Sequence, residues 1–407
     1  MKNVSDVIIV GGGPCGLFTA LNLAKQGVNV AVFEEHSEIG VPSHCPGHLS
    51  INGLKKLGLY PLPAEIVENN FHGAVFHSPK GTSFSVHFSQ PVTCVVNRVL
   101  FDNHIAEIAE EAGVHYHLNS RVESLIIEDG FVKGVVVRKK GRNEEFLANI
   151  VIDAEGVSSR ILRQVGLSCL NRHMFVNGVQ AEVENVKSTN LDTVEVFFGK
   201  DYAAGFYAWL IPKQDGKAKV GLATKTGNPH ELFQKFMLRH PTASRKLRTA
   251  KILQVAFHPL TLGGPIEKTY SNGFLVVGDA ASQVKPTTGG GVIWGMTCAR
   301  IASKVAYEAL SENDFSSNVL SRYQVQCEGI LDFDANIMLR IRKMLNAMSD
   351  ENMDNVISLL KKLKLDETFQ GFQDIDLQGQ SLLRLLRSPK MLVALFYFSL
   401  LYLSANP

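Results

Sequence analysis

At 407 residues the chain is long enough for two or three packed domains, and its 45% apolar and 20% charged residues are the balance of a globular protein. A formal net charge of +2 gives no reason to expect nucleic acid or another polyanionic partner. The six cysteines include no pair at Cys-x-x-Cys spacing, which argues against a disulfide framework or a zinc knuckle and suits a reducing cytoplasm.

The opening "MKNVSDVIIVGGG" breaks into glycines instead of a small-residue cleavage site, so no signal peptide is expected. No window reaches the roughly eighteen apolar residues of a spanning helix. The nearest approach is the shorter run "MLVALFYFSLLYLS", 391–404.

"DVIIVGGGPCGLFTALNLAKQGVNVAVFEEH" reads as a strand, a glycine turn, a helix and a second strand. Val7–Val10 is a buried apolar run, and "LFTALNLAKQG" carries apolar residues at helical spacing until Gly27 ends it. In the turn Gly11-x-Gly13-x-x-Gly16, Gly11 permits the tight turn and Gly13 lets the backbone approach a pyrophosphate. Gly16 lets the helix pack on the sheet. Glu34 closes the second strand, placed to accept hydrogen bonds from an adenosine ribose. This unit alone does not separate NAD from FAD.

Later segments add to it. "VVNRVLFDNHIAEIAEEAGV", 95–114, puts Arg98 and Asp102 at the head of a helix, and "IVIDAEGVSSR", 150–160, gives a strand-to-turn acid at Glu155-Gly156. "GFLVVGDAASQVKPTTGGGVIWGM", 273–296, is a strand ending in Gly278-Asp279, then a glycine-rich turn and a helix. Asp279 is placed to bond a ribityl hydroxyl. Gly289, Gly290 and Gly291 at a helix N-terminus can offer N–H groups to an electron-rich isoalloxazine edge.

The middle, roughly 165–265, alternates apolar and polar residues and reads as antiparallel strands inserted between two halves of a nucleotide domain. Residues 300–400 look helical throughout, ending in "QSLLRLLRSPKMLVALFYFSLLYLSANP", basic first and then very apolar. That end is either a bundle capping a substrate tunnel or an interfacial segment that dips Phe396, Tyr397, Phe398 and Tyr402 into an acyl boundary. The expected fold is α/β (α+β taken whole). A Rossmann-like domain is drawn from 1–165 and 266–310, a substrate sheet from 166–265, and a helical region from 311–407.

GxGxxG, "Val-x-Arg-x-x-Phe-Asp", "Asp-Ala-Glu-Gly-x-x-Ser" and "Gly-Asp-Ala-Ala", in this order, resemble the FAD-dependent oxidoreductases of the para-hydroxybenzoate hydroxylase type. The resemblance implies FAD as cofactor, with Glu34, Arg98 and Asp279 among its contacts. Around these motifs the implied FAD set comprises Gly11, Gly13, Pro14, Cys15, Gly16, Glu35, Cys45, Gly47, Val122, Glu155, Gly156, Gly278, Pro286, Gly289, Gly290, Gly291 and Val292. Glu155 departs from the family's usual Asp.

"Gly-Phe-Tyr-Ala-Trp-Leu-Ile-Pro-Lys" is similar to the Gly-x-Tyr-x-Trp-x-Phe-Pro-Lys segment of geranylgeranyl reductases, with Ile211 in place of Phe. "Pro42-x-x-Cys45-Pro46-Gly47" matches their Pro-x-x-Cys-x-Gly loop. The resemblance implies an archaeal-type geranylgeranyl reductase acting on unsaturated di-geranylgeranyl glycerophospholipids. Relatives reduce geranylgeranyl diphosphate or geranylgeranyl-chlorophyll. Reduced FAD would deliver hydride from N5, and Phe206, Tyr207, Trp209, Pro212, Lys213 and Trp294 are the expected substrate contacts. Cys45 and Tyr207 are the catalytic candidates.

In "VPSHCPGHLS", 41–50, His44 and His48 flank Cys45, but no second cluster accompanies them and Pro46 stiffens the spacing, so no metal is expected. The loop follows Glu34 and is expected to run from the ribose end of FAD toward the ring. Electrons would come from NAD(P)H or a ferredoxin, since no second GxGxxG appears. The expected location is cytoplasmic, peripheral to the inner face of the cell membrane; oligomeric state is not legible. Rival readings are a flavin monooxygenase or halogenase, from which Tyr207 departs where halogenases carry Trp, and a non-catalytic prenyl-binding protein.

Overall fold

The strand Val4–Val10 runs parallel to its neighbours on both sides, Arg142–Asp153 and Val30–Phe33, and is buried through its apolar end, Val7–Val10. A computed structural model describes residues 4–369 and 374–405 of the chain. The parallel core continues outward through Phe274–Val276 on one flank and His115–His117 on the other. The hairpin Ser120–Glu128 and Phe131–Lys139 is added antiparallel to the early part of Arg142–Asp153. Parallel strands need crossovers. The first is the helix Pro14–Ala24, with proline in its first turn, where the missing N–H costs nothing.

Contacts divide the chain into two units, one of 1–43, 98–174 and 261–335, the other of 44–97, 175–260 and 336–407. This differs from the expected boundaries. The second unit is not one insertion plus a separate helical tail, because Gly73–His77, running parallel to Thr193–Phe197, and Ser83–His87 extend the sheet from the N-terminal side, which makes it mixed instead of purely antiparallel. Its seven strands run in the order Lys251–Thr261, Phe175–Glu184, Ala218–Thr224, Ala208–Pro212, Thr193–Phe197, Gly73–His77, Ser83–His87. The segment after the Cys45 loop forms a small sheet of its own, His48–Ser50 and Val67–Phe71 flanking Thr93–Val96.

Alternation along the large sheet sorts its two faces. Ala208, Leu210, Val220 and Leu222 pack with Phe233, Phe236 and Met237, which lie on the helix Pro229–Arg239. Trp209 and Ile211 point the other way, against Phe71, Val95 and Val194. Register sets Ile211 opposite Lys219 and Trp209 opposite Gly221, so these four residues share a face.

Candidate flavin site and substrate face

Register brings the flavin motifs together. Val10 pairs with Asp153 and Asp153 with Val276, so the turns that follow these strands lie side by side at the carboxyl ends of a parallel sheet. Ligands of open α/β sheets bind there. Gly11 has φ +105°, and a Cβ on it would meet the Ala154 carbonyl oxygen at 2.5 Å. A Cβ on Gly16 would meet the Gly11 oxygen at 2.1 Å. At Gly13 nothing lies within 4 Å, which leaves open space at the N-terminus of Pro14–Ala24, as a pyrophosphate requires. The residues present therefore fit FAD, with Gly11–Gly16 as its phosphate turn.

Glu34 is next to this turn, its Oε2 accepting from Gly12 N at 2.7 Å and its Oε1 from His36 N at 2.9 Å. Arg98 is buried and holds Asp102 one helical turn on at 2.9 Å. Burial pushes the Asp279 carboxyl above its ordinary value and the Arg98 cation opposes that rise. A Cβ on Gly291 would meet Asp279 Oδ1 at 2.6 Å, so this glycine lets the helix Val292–Glu312 begin against the acid. Gly289 gives its N–H to the Lys285 carbonyl. Cys15 fills the contact between helices: Cβ atoms on Gly278 and Gly295 would meet its Sγ at 2.8 and 2.4 Å. Burial first, then Asp279, pushes its thiol well above the ordinary range.

Three expected flavin residues also have partners within the protein. Glu155 accepts from Ile161 N at 2.9 Å and lies 3.6 Å from Arg160, closing its own turn. Val122 is in the core with Ile8, Val10 and Phe33. Glu35 is exposed, 3.7 Å from Arg121. Gly156 has φ +71° and open space around it. Trp294, an expected substrate contact, is fully buried in the first unit.

In the second unit Tyr207 stacks on Phe206 at 4.2 Å and stands edge-on to Trp209 at 6.1 Å. Arg342, which no sequence pattern singled out, is 2% exposed with its cation 4.8 Å over the Phe206 ring. Burial draws its guanidinium down to about 10, and burial pushes the Tyr207 hydroxyl up to about 12. The Trp209 N–H is buried without an acceptor among the described residues. Lys213 does not stand apart as a substrate contact: it is ion-paired with Glu182 and, at 2.6 Å, with Glu68. Pro212 closes the strand before it.

Trp209 lies across Gly221, where a Cβ would meet Trp209 Cζ2 at 2.4 Å and the Val179 carbonyl at 2.5 Å. Gly221→Ala should therefore cost about 1–3 kcal/mol and lower the melting midpoint. An unchanged midpoint would mean the indole does not rest there.

Cys45 is half-buried, its Sγ 3.4 Å from Gly47 N. The two loop histidines have separate partners, His44 stacking on His258 at 4.8 Å and His48 Nε2 bonding Thr93 Oγ1 at 2.8 Å.

Comparison with known proteins agrees with this geometry. The FAD binding domain family matches residues 4–329, so the chain is a flavoprotein of that class, an FAD-dependent oxidoreductase. It is 33% identical over 394 residues to digeranylgeranylglycerophospholipid reductase 2 of Methanothermobacter thermautotrophicus, covering 95% of this chain and 97% of that one. To the digeranylgeranylglycerophospholipid reductase of Methanosarcina acetivorans it is 31% identical over 379 residues, 90% and 91% of the two chains. A geranylgeranyl bacteriochlorophyll reductase-like structure from Thermoplasma acidophilum shares the fold, with a TM-score of 0.87 at 24% identity over 98% and 100% of the chains. The chain belongs to the digeranylgeranylglycerophospholipid reductase family.

Proposed function

We propose that the protein saturates carbon–carbon double bonds in the geranylgeranyl chains of archaeal-type glycerophospholipids. The family relation over most of the chain supports the substrate class. The observation that carries the reading is one sheet face bearing Tyr207 and Trp209, to which the Cys45 loop is tied through Lys219. An isoprenoid offers no charge to grip, so an apolar aromatic wall with few polar groups is what its recognition requires.

Saturating an isolated alkene takes a hydride at one carbon and a proton at the other. Reduced FAD supplies the hydride when bound. Gly11–Gly16, Glu34, Arg98 and Asp279 would hold the cofactor, and Tyr207 and Trp209 seat the chain and exclude water. Cys45 delivers the proton. Tyr207 is the second candidate donor, its hydroxyl on the same face as Trp209. The reductant proposed to supply the flavin's electrons is NAD(P)H or a ferredoxin. Co-expression with an unsaturated archaeal lipid pathway should yield lipids heavier by two hydrogens per reduced bond, and lipids of unchanged mass would overturn the reading.

Contact with the bilayer that holds the substrate is part of this proposal. No single helix among the described residues is long and apolar enough to cross a membrane. In the helix Pro389–Ala405, Met391 and Ala394 pack with Phe84, Val86 and Ile357, while Leu392, Val393, Phe396 and Leu400 stand exposed. Arg384, Arg387 and Lys390 are exposed nearby. Cations beside an outward apolar stripe suit an acyl boundary and its phosphates. Helical spacing leaves Tyr397, Phe398 and Tyr402 half-buried, so the outward stripe differs from the aromatic set read in the sequence. Phe396→Asp with Leu400→Asp should weaken co-sedimentation with anionic liposomes by roughly tenfold or more. Undiminished binding would remove this contact from the account.

A further inference from the structure

The Cys45 loop has a buried tether whose parts come from distant stretches of the second unit. Pro46 has no N–H, so the only backbone polar group it offers is its carbonyl. That oxygen accepts from Lys219 Nζ at 3.1 Å. The same ammonium donates to the Val96 carbonyl at 2.9 Å and pairs with Glu68 Oε2 at 2.5 Å. The ammonium is thus held by two carbonyl acceptors and one ion pair. Lys219 is 7% exposed. Next along the loop, the Gly47 carbonyl accepts from Val96 N at 2.9 Å, so both residues after Cys45 are fixed to Val96, one directly and one through the lysine.

Glu68 is aimed for this task. The pairing of Val67–Phe71 with Thr93–Val96 slips between Val67 and Asn69, which leaves Glu68 as the extra residue of a bulge. Bulges re-aim side chains. The carboxylate takes Lys219 on one oxygen and Lys213 on the other, and Lys213 reaches Glu182 in turn. Burial raises Glu68, but the Lys219 charge and hydrogen bonds from both lysines outweigh it and hold the carboxyl below its ordinary value. Burial draws Lys219 down against the pull of Glu68. Lys219 also lies opposite Ile211, on the face that carries Trp209. The tether therefore joins the loop to the wall proposed for the isoprenoid.

We infer that Lys219, oriented by the bulged Glu68, is the positioning residue that holds the Cys45 thiol in register with the face bearing Tyr207 and Trp209. This rests on the reading of Cys45 as the proton donor. Removing the ammonium frees the Pro46 carbonyl and lets the thiol wander, so the proton is delivered from the wrong place while the isoprenoid still binds.

The test uses the flavin-loaded protein with Lys219→Met and, as a milder change that keeps the shape of the carboxylate, Glu68→Gln. Two quantities are read: the rate of Cys45 alkylation by iodoacetamide, followed by peptide mass against buried Cys94, and kcat and KM for lipid reduction. In Lys219→Met, Cys45 alkylation should accelerate severalfold relative to Cys94, and kcat should fall roughly ten- to a hundredfold with KM little changed. Glu68→Gln should fall between this variant and the parent. In a Cys45→Ala background, Lys219→Met should lower kcat no further. Unchanged Cys45 alkylation in both variants would overturn the tether itself. If Cys45→Ala keeps full turnover while Lys219→Met still accelerates alkylation, the tether stands and the catalytic reading of the thiol falls. Independent, additive losses in the double variant would overturn the claim that Lys219 acts through Cys45.

Discussion

Gly11→Ala should give a protein that holds no flavin and melts early, whereas Gly13→Ala should lose flavin and keep its fold. The two glycines are two residues apart but answer to different constraints. At Gly11 the backbone sits at φ +105°, where an alanine is strained by about 1–3 kcal/mol. The added methyl would also meet the Ala154 carbonyl oxygen at 2.5 Å. The apoprotein itself should therefore be destabilised. At Gly13 a methyl meets nothing within 4 Å, so the apoprotein should melt as the parent does. The methyl would stand where a pyrophosphate must approach the helix N-terminus, and one or two lost charge-assisted hydrogen bonds weaken binding by roughly ten- to a hundredfold or more. Melting curves of stripped protein and flavin content of refilled protein separate the cases. Full flavin in Gly13→Ala would mean the phosphates do not lie at this turn.

Cys45→Ala should lower lipid reduction by roughly a hundredfold, in the range expected when a positioned proton donor is replaced by water. Flavin content should not change, because the residues assigned to the phosphates, ribose and ribityl chain lie in the other unit of the chain. KM should also stay near the parent value, since the aromatic wall of Tyr207 and Trp209 is untouched. Tyr207→Phe should cost less, because it removes the second donor and keeps the ring stacked on Phe206. Unaltered turnover in Cys45→Ala would leave the thiol a shaping role only.

The flavin half of the molecule was legible because its chemistry is written in backbone requirements. Gly11, Gly16 and Gly278 are glycines since a positive φ or a neighbouring atom leaves no room for a Cβ, and such demands fall at fixed local spacing. Arg98 and Asp102 were legible for the same reason, four residues apart at the head of one helix. That Glu155 also closes its own turn, accepting from Ile161 N, was not legible, since a strand-to-turn acid carries no sign of such a partner. The tie on Cys45 was invisible. Lys219 sits in "KAKVGLATK", where alternation does not tell an inward lysine from a solvated one, and its partners Pro46, Glu68 and Val96 are remote in the chain. Arg342 was hidden similarly, one of several cations at helical spacing in "NIMLRIRKML". The strands Gly73–His77 and Ser83–His87 join a sheet whose other members lie beyond residue 174, so no local pattern announces their partners.

The most direct measurement is anaerobic reoxidation of the chemically reduced flavoprotein by a di-geranylgeranyl glycerophospholipid, with flavin absorbance and lipid mass followed in the same sample. Reoxidation should depend on the lipid and match, mole for mole, the addition of two hydrogens per double bond. A flavin that stays reduced until oxygen is admitted, with the lipid unchanged in mass, would contradict the assignment of this chain as a reductase of isoprenoid double bonds.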